Sequence, residues 1–220
     1  MKIFIDAGHG GSDPGAIGQV QEKNINLEVA LKLRDFLQAY EGVVVAMTRV
    51  DDTYIDLIER CNRANDWGAD LFISIHHNAF NGTATGVETI YSVMANETFI
   101  NYANEVGQCI ATNIGLSFRR AFSSARSDGR DSLCVIRETT MPALLVECLF
   151  LDNPIDWAHE NPAVIAETIA QVTSRYYSLK KPVISTVFRV VAGSFSKREN
   201  AEKRVEELKA AGFDSFILPT

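Results

Sequence analysis

One glutamate stands alone among aliphatic, aromatic, thiol and proline neighbours in the stretch MPALLVECLFL, where it is Glu147. A carboxylate in such surroundings needs a partner or a task, because burying its charge is costly. Burial would raise its pKa and suit it to take a proton from water and return it to a leaving amine. The competing reading is a structural ion pair, for instance with Arg137. Two further groups stand after strand-like runs: His9 follows KIFIDA, and the pair His76 and His77 follows ADLFISI. Ligands of open α/β sheets bind beyond the carboxyl ends of the strands, so these histidines should converge on one edge. Glu22, in VQEKNIN ahead of a helix, could complete a His, Glu, His set with a fourth tetrahedral position open, as in hydrolytic zinc sites. At a helix start it could equally serve the helix dipole.

The turn that carries His9, IDAGHGGSDPGAIG, is not a phosphate cradle. It lacks the Lys-Ser/Thr pair of a P-loop, and Asp13 stands where a dinucleotide fingerprint has its third glycine. Nor does the chain contain H-E-x-x-H or a zinc-finger spacing. Cys148 follows Glu147 in the same run and should face the other side of the strand. His159, beside Trp157, reads as a surface residue.

Strand and helix patterns alternate around these residues. KIFIDA, GVVVAMTR, ADLFISI, GVETIYSV, LCVIR and ALLVECLFL read as strands. NINLEVALKLRDFLQAY, YIDLIERCNRAND, NETFINYANEVGQCIATNIGL and NPAVIAETIAQVTSRYYSLK read as helices, the first with apolar residues at helical spacing. The polar, arginine-rich SFRRAFSSARSDGR reads as a surface loop. Such alternation implies an α/β domain with a mostly parallel sheet flanked by helices. Lys180-Lys181-Pro182 marks a linker, which divides the chain into 1–180 and 181–220. The second part reads as a small β-α-β segment, too short to bury much core alone.

Composition sets the outer bounds. The 220 residues carry 46% hydrophobic and 22% charged side chains, ordinary for a folded domain. A net charge of −7 argues against general nucleic-acid binding. The acidity belongs to the first part, since residues 181–220 carry seven Lys/Arg against five Asp/Glu. No run is long enough to span a bilayer, and the start MKIFIDAGHG does not read as a signal peptide. Four cysteines without close pairing suggest reduced thiols and synthesis in the cytoplasm.

Six stretches, in order, resemble a known family. IDAGHGGSDPGAIG, EKNINLEVALKL, TRVDDTYIDLIERCNRAN, ADLFISIHHNA, GVETIYS and VIRETTMPALLVECLFLDNP are similar to segments of the zinc-dependent N-acetylmuramoyl-L-alanine amidases, which cut bacterial peptidoglycan. The resemblance covers nearly all of residues 2–178. It implies a twisted sheet of about six strands, zinc held by His9, Glu22 and His76, and catalysis by Glu147. Two positions depart from the pattern. His77 stands where a small residue is usual, which makes it a rival ligand, and Leu149 replaces a glycine. Neighbouring strand residues face opposite sides, so only one of His76 and His77 can join His9 and Glu22. Arg49, Arg60 and Arg137 fit either substrate contacts or structural ion pairs.

The tail from Val187 resembles the first half of a SPOR-type peptidoglycan-binding module. Its helix should present Ala201, Val205, Leu208 and Ala211 on one face, to be covered by the first domain or by a second copy in a homodimer. The expected activity is therefore zinc-dependent hydrolysis of the amide between N-acetylmuramic acid and L-alanine, exerted on the wall after release from the cytoplasm. Its rivals are a zinc exopeptidase acting on wall peptides and a non-catalytic wall-binding protein.

Overall fold

The computed structural model describes residues 1–182 and 191–217. Its contacts define two compact units, Met1–Pro182 and Val183–Thr220. In the first unit the chain runs β1 (Lys2–Ala7), α1 (Glu22–Gln38), β2 (Val44–Met47), α2 (Leu57–Trp67), β3 (Leu71–Asn78), β4 (Val87–Tyr91), α3 (Glu97–Ile114), β5 (Phe118–Phe122), α4 (Cys134–Arg137), β6 (Ala143–Phe150), α5 (Pro154–Trp157) and α6 (Pro162–Tyr176). The strands form one sheet in the order β2-β1-β3-β6-β4-β5. All neighbours are parallel except β4 and β6, which run antiparallel.

Both sheet faces are covered, and the alternation of each central strand divides its side chains between two cores. Ile3, Ile5, Ile73, Ile75, Leu144 and Val146 face a core shared with α1, α3 and α6. Phe4, Phe72, Ala143 and Leu145 face a second, smaller core with α2 and α4. Helix α1 shows why the sequence folds this way. Ile25, Val29, Leu33 and Leu37 recur on one buried stripe, and each buried aliphatic side chain is worth about 1.5–3 kcal/mol. Asp56 and Asn96 cap α2 and α3 by accepting from backbone N–H groups, and the left-handed glycines Gly68 and Gly115 end the same helices.

Two elements differ from the sequence expectation. LCVIR contains the helical turn α4 rather than a strand. One turn is enough to bury Val135 and Ile136, and a short apolar run has no periodicity to separate the two states. Conversely, FRRAF, inside the expected surface loop, is the edge strand β5. Its two exposed arginines hide the alternation on which strand reading depends.

In the second unit, α7 (Arg198–Ala210) is the described helix. Ala201, Val205 and Leu208 are half-buried, whereas Ala211 is exposed. The strand expected at the start of this segment lies outside the described residues, and so does the end of the final one; residues 213–217 are not in a strand. No helix among the described residues is long and apolar enough to cross a membrane.

Candidate metal and proton-transfer site

The chain leaves β1 and turns sharply, so that His9 adopts a left-handed backbone with φ 61°. Arg49 and Arg60 hold this turn from beneath. Arg49 donates to the carbonyls of Ala7 (2.9 Å), Gly8 (2.9 Å) and Lys23 (2.7 Å). Arg60 donates to Asp6 (2.7 Å) and to the carbonyls of Ala7 (2.9 Å) and His9 (2.8 Å). Both guanidiniums are buried; Arg60 forms an ion pair with Asp6, whereas Arg49 engages backbone carbonyls. Arg137 likewise engages Glu138 and the carbonyls of Asp131 and Ser132, not Glu147.

Glu22 opens α1 on the same buried stripe as Ile25 and Val29. Its Oε2 lies 3.0 Å from His9 Nε2, and its Oε1 lies 2.9 Å from His76 Nδ1. Ligand atoms of His9, Glu22 and His76 all fall within 4.8 Å of one another. Glycines allow this closeness. A Cβ on Gly8 would stand 2.4 Å from the His76 ring, and one on Gly15 (φ 66°) would stand 2.5 Å from both Glu22 Oε2 and His9 Cδ2.

The hydrogen bonds around the cluster fix which atoms face its centre. His9 Nδ1 donates to Asp13 Oδ2 at 2.8 Å, while Asp13 Oδ1 accepts from Gly15 N. That turns Nε2 of His9 toward Glu22, the carboxylate–histidine arrangement common behind metal ligands. Glu22 also accepts from Ala16 N, His77 N and Asn26 Nδ2. A ring-nitrogen lone pair and a carboxylate oxygen at 3.0 Å repel unless a cation lies between them. A proton or a metal ion meets that need. Burial lowers the pKa of each histidine, but the Glu22 carboxylate more than offsets it, taking His76 to about 9. Burial alone would raise Glu22, and the two imidazoles hold it well below the usual carboxylate range. Two nitrogens and a carboxylate also form a donor set suited to zinc.

Glu147 sits on β6 in direct register with His76 on β3. Its Oε2 is inaccessible to solvent and has no hydrogen-bond partner. Burial, opposed by the charge on His76 and reinforced by Glu22, raises its pKa to about 7. Cys148 faces away from it into the larger core. All four cysteines are free, Cys61 and Cys148 being buried. His159 is an exposed residue whose Nδ1 donates to the Ile114 carbonyl.

His77 stands apart from the cluster. Its ring is fully buried on the opposite face of β3, with Nδ1 donating to Asn26 Oδ1 at 2.7 Å and Nε2 lying 3.3 Å from Glu160 Oε2. Asn26 in turn donates to Glu22 Oε1, so this pair supports the cluster from behind. Asp13, Asn26 and Glu160 were not singled out from sequence. Asn26 carried a usable signal, because it lies four residues after Glu22 and so on the same helix face. A cavity of about 470 Å³, lined in part by Met94, Phe99, Arg137 and Met141, lies by the start of β6 and includes none of the cluster residues.

Comparison with known proteins identifies the family. The family model for N-acetylmuramoyl-L-alanine amidase matches residues 3–175. The SPOR domain model matches residues 160–219, reaching back past Val187 into α6. A sporulation-specific N-acetylmuramoyl-L-alanine amidase of Bacillus subtilis is 35% identical over 224 residues, spanning 99% of this chain and 84% of that protein. Among solved structures, an N-acetylmuramoyl-L-alanine amidase from Clostridium difficile 630 superposes with a TM-score of 0.73 at 35% identity, covering 80% of this chain and 96% of the other. The catalytic domain of CwlV, an amidase from Bacillus (Paenibacillus) polymyxa var. colistinus, gives 0.72 at 33% identity, covering 81% and 99%. The chain belongs to the N-acetylmuramoyl-L-alanine amidase family, hydrolases of the amide between N-acetylmuramic acid and L-alanine.

Proposed function

We propose that His9, Glu22 and His76 hold a zinc ion and that Glu147 carries the proton in hydrolysing the muramoyl–L-alanine amide of peptidoglycan. The observation that supports this reading best is the inaccessible, unpartnered Oε2 of Glu147 in register with His76. When bound, zinc supplies Lewis acidity toward the scissile carbonyl and an acidified water. Glu147 accepts a proton from the attacking water as its oxygen adds to the lactyl carbonyl carbon. Glu147 then returns that proton to the L-alanine nitrogen as the C–N bond breaks, leaving a free amine and a lactyl carboxylic acid, which ionises by losing its proton to solvent. Asp13 keeps the His9 proton on Nδ1, so that Nε2 faces the centre of the cluster.

Residues 1–180 are the catalytic domain in this reading, acting on the wall after release from the cytoplasm, and 181–220 form a wall-binding segment. The half-covered face of α7 would meet a second copy of the chain. A chain that stays monomeric in light scattering at high concentration refutes the pairing.

Digestion of purified sacculi followed by mass spectrometry tests the activity. Peptides released with a free L-alanine amine, leaving intact muramic carboxylates, support the amidase reading. Release of single amino acids instead would identify an exopeptidase, and sacculi bound without any cleavage would identify a wall-binding protein.

A further inference from the structure

The register of the sheet continues past Glu147. His76 on β3 opposes Glu147 on β6, Glu147 opposes Glu88 on β4, and Glu88 opposes Arg120 on β5. Directly opposed residues share a sheet face, so the row leads from the zinc ligand through the proton acceptor to an edge-strand arginine. The pairing of β4 with β5 is interrupted here. It jumps from Val87 opposite Phe118 to Glu88 opposite Arg120, leaving Arg119 as an extra residue. A bulge of this kind re-aims side chains. Arg119 and Arg120, which would otherwise face opposite sides, both donate to Glu88 Oε1 at 3.0 Å.

Two guanidiniums share one carboxylate oxygen here. Glu88 is buried, while the side chains of Arg119 and Arg120 are 39% and 59% exposed. The other oxygen, Oε2, accepts from neutral Asn78. Glu88 alone can neutralise only one of the two guanidiniums, and both keep surface open to solvent. Both guanidiniums lie over aromatic rings, of Phe150 and Phe122, at 5.1 and 4.1 Å, which restrains them without using their donors.

Resting on the amidase reading above, we propose that Arg119 and Arg120 form a carboxylate subsite for the peptide half of the substrate. The sugar half offers hydroxyl and acetamide groups to this flank, whereas a stem peptide offers carboxylates. Glu88 lies one strand spacing, about 5 Å, from Glu147. An extended peptide advances about 3.5 Å per residue, so a carboxylate on the residue after L-alanine comes within reach of the pair. Guanidiniums suit this task because their planar donor fork matches a carboxylate.

Two soluble muramoyl dipeptides test the proposal, one with a free α-carboxylate on the residue after L-alanine and one with a carboxamide there. The full chain should favour the carboxylate about five-fold in kcat/KM, chiefly through KM, as expected for a partly exposed ion pair. The preference should shrink as salt rises. In the Arg119→Gln/Arg120→Gln double variant the ratio should fall to about one. Arg120→Lys should retain part of it, and Arg126→Gln, a change in the neighbouring loop, should leave it unaltered. If the double variant does not fold, the two single Gln variants serve, each expected to lower the ratio. Equal rates on both substrates by the native chain, or a preference that survives loss of both arginines, overturns the subsite and leaves them as charges guarding a sheet edge. No hydrolysis of either substrate would instead overturn the amidase reading.

Discussion

Replacing Gly8 by alanine probes how closely the fold grips the proposed metal cluster. The backbone at Gly8 is not left-handed, so alanine meets no conformational penalty there. Its methyl group would instead stand 2.4 Å from His76 Cε1 and Nε2 and 2.8 Å from Cδ2. An ordinary contact begins near 3.4 Å, so the imidazole must retreat by about 1 Å. It cannot do so and still keep Nδ1 at 2.9 Å from Glu22. Disturbing what orients a metal ligand costs about 10–100-fold in affinity. A misplacement of about 1 Å near the chemistry can cost a further 10²-fold in rate. Overpacking of this size lowers stability by about 1–3 kcal/mol, which leaves a folded chain to measure. Competition with a zinc-buffering chelator gives the affinity, and a metal-free urea melt gives the stability. Zinc affinity within two-fold of the native chain, in a variant that melts normally, would refute the idea that this glycine exists to admit His76.

Chelation should abolish activity and added zinc should restore it, with about one zinc bound per chain by elemental analysis. Glu147→Gln should keep zinc and fold yet lose about 10²–10⁴-fold in turnover, as measured on a soluble muropeptide. His76→Ala should lose zinc binding. His77→Ala should keep the stoichiometry while losing roughly 2–4 kcal/mol in urea melts, because Asn26 and Glu160 lose a buried partner. Asp6 supplies an acid-sensitive term. Burial pushes its carboxyl up, but Arg60, His76 and Ser74 bring it below its ordinary value. Since the folded pKa is the lower one, its stabilisation is complete above the unfolded value near 4. It should vanish as pH falls further, and urea midpoints from pH 6 to 3 should show this slope in the native chain but not in Asp6→Asn.

The site was more legible in the sequence than parts of the scaffold, for physical reasons. Glu147 stood out because a lone carboxylate in an apolar strand has no cheap structural explanation. His9 stood out because its glycines made sense only if something had to come close. The edge strand β5 escaped notice because its arginines belong to a bulge, and a bulge breaks the alternation that marks a strand. Val135 and Ile136 misled in the other direction, since a single turn buries them as well as a strand would. Asp13, Asn26 and Glu160 act through hydrogen bonds to other side chains, and such pairings appear only when the chain is folded.

Strand order also bears on how the chain is made. His9 and Glu147 lie at opposite ends of the catalytic unit in sequence, yet β6 sits at the middle of the sheet, bridging β3 to the β4–β5 edge. A ribosome that has delivered β1 to β5 has supplied every proposed zinc ligand but neither the proposed proton acceptor nor the strand that joins the two halves. Contacts of such long sequence separation form late and slowly. On the proposed assignment, chains ending before β6 should be hydrolytically inert. The catalytic assembly proposed here therefore needs nearly the whole of the first unit before it is complete.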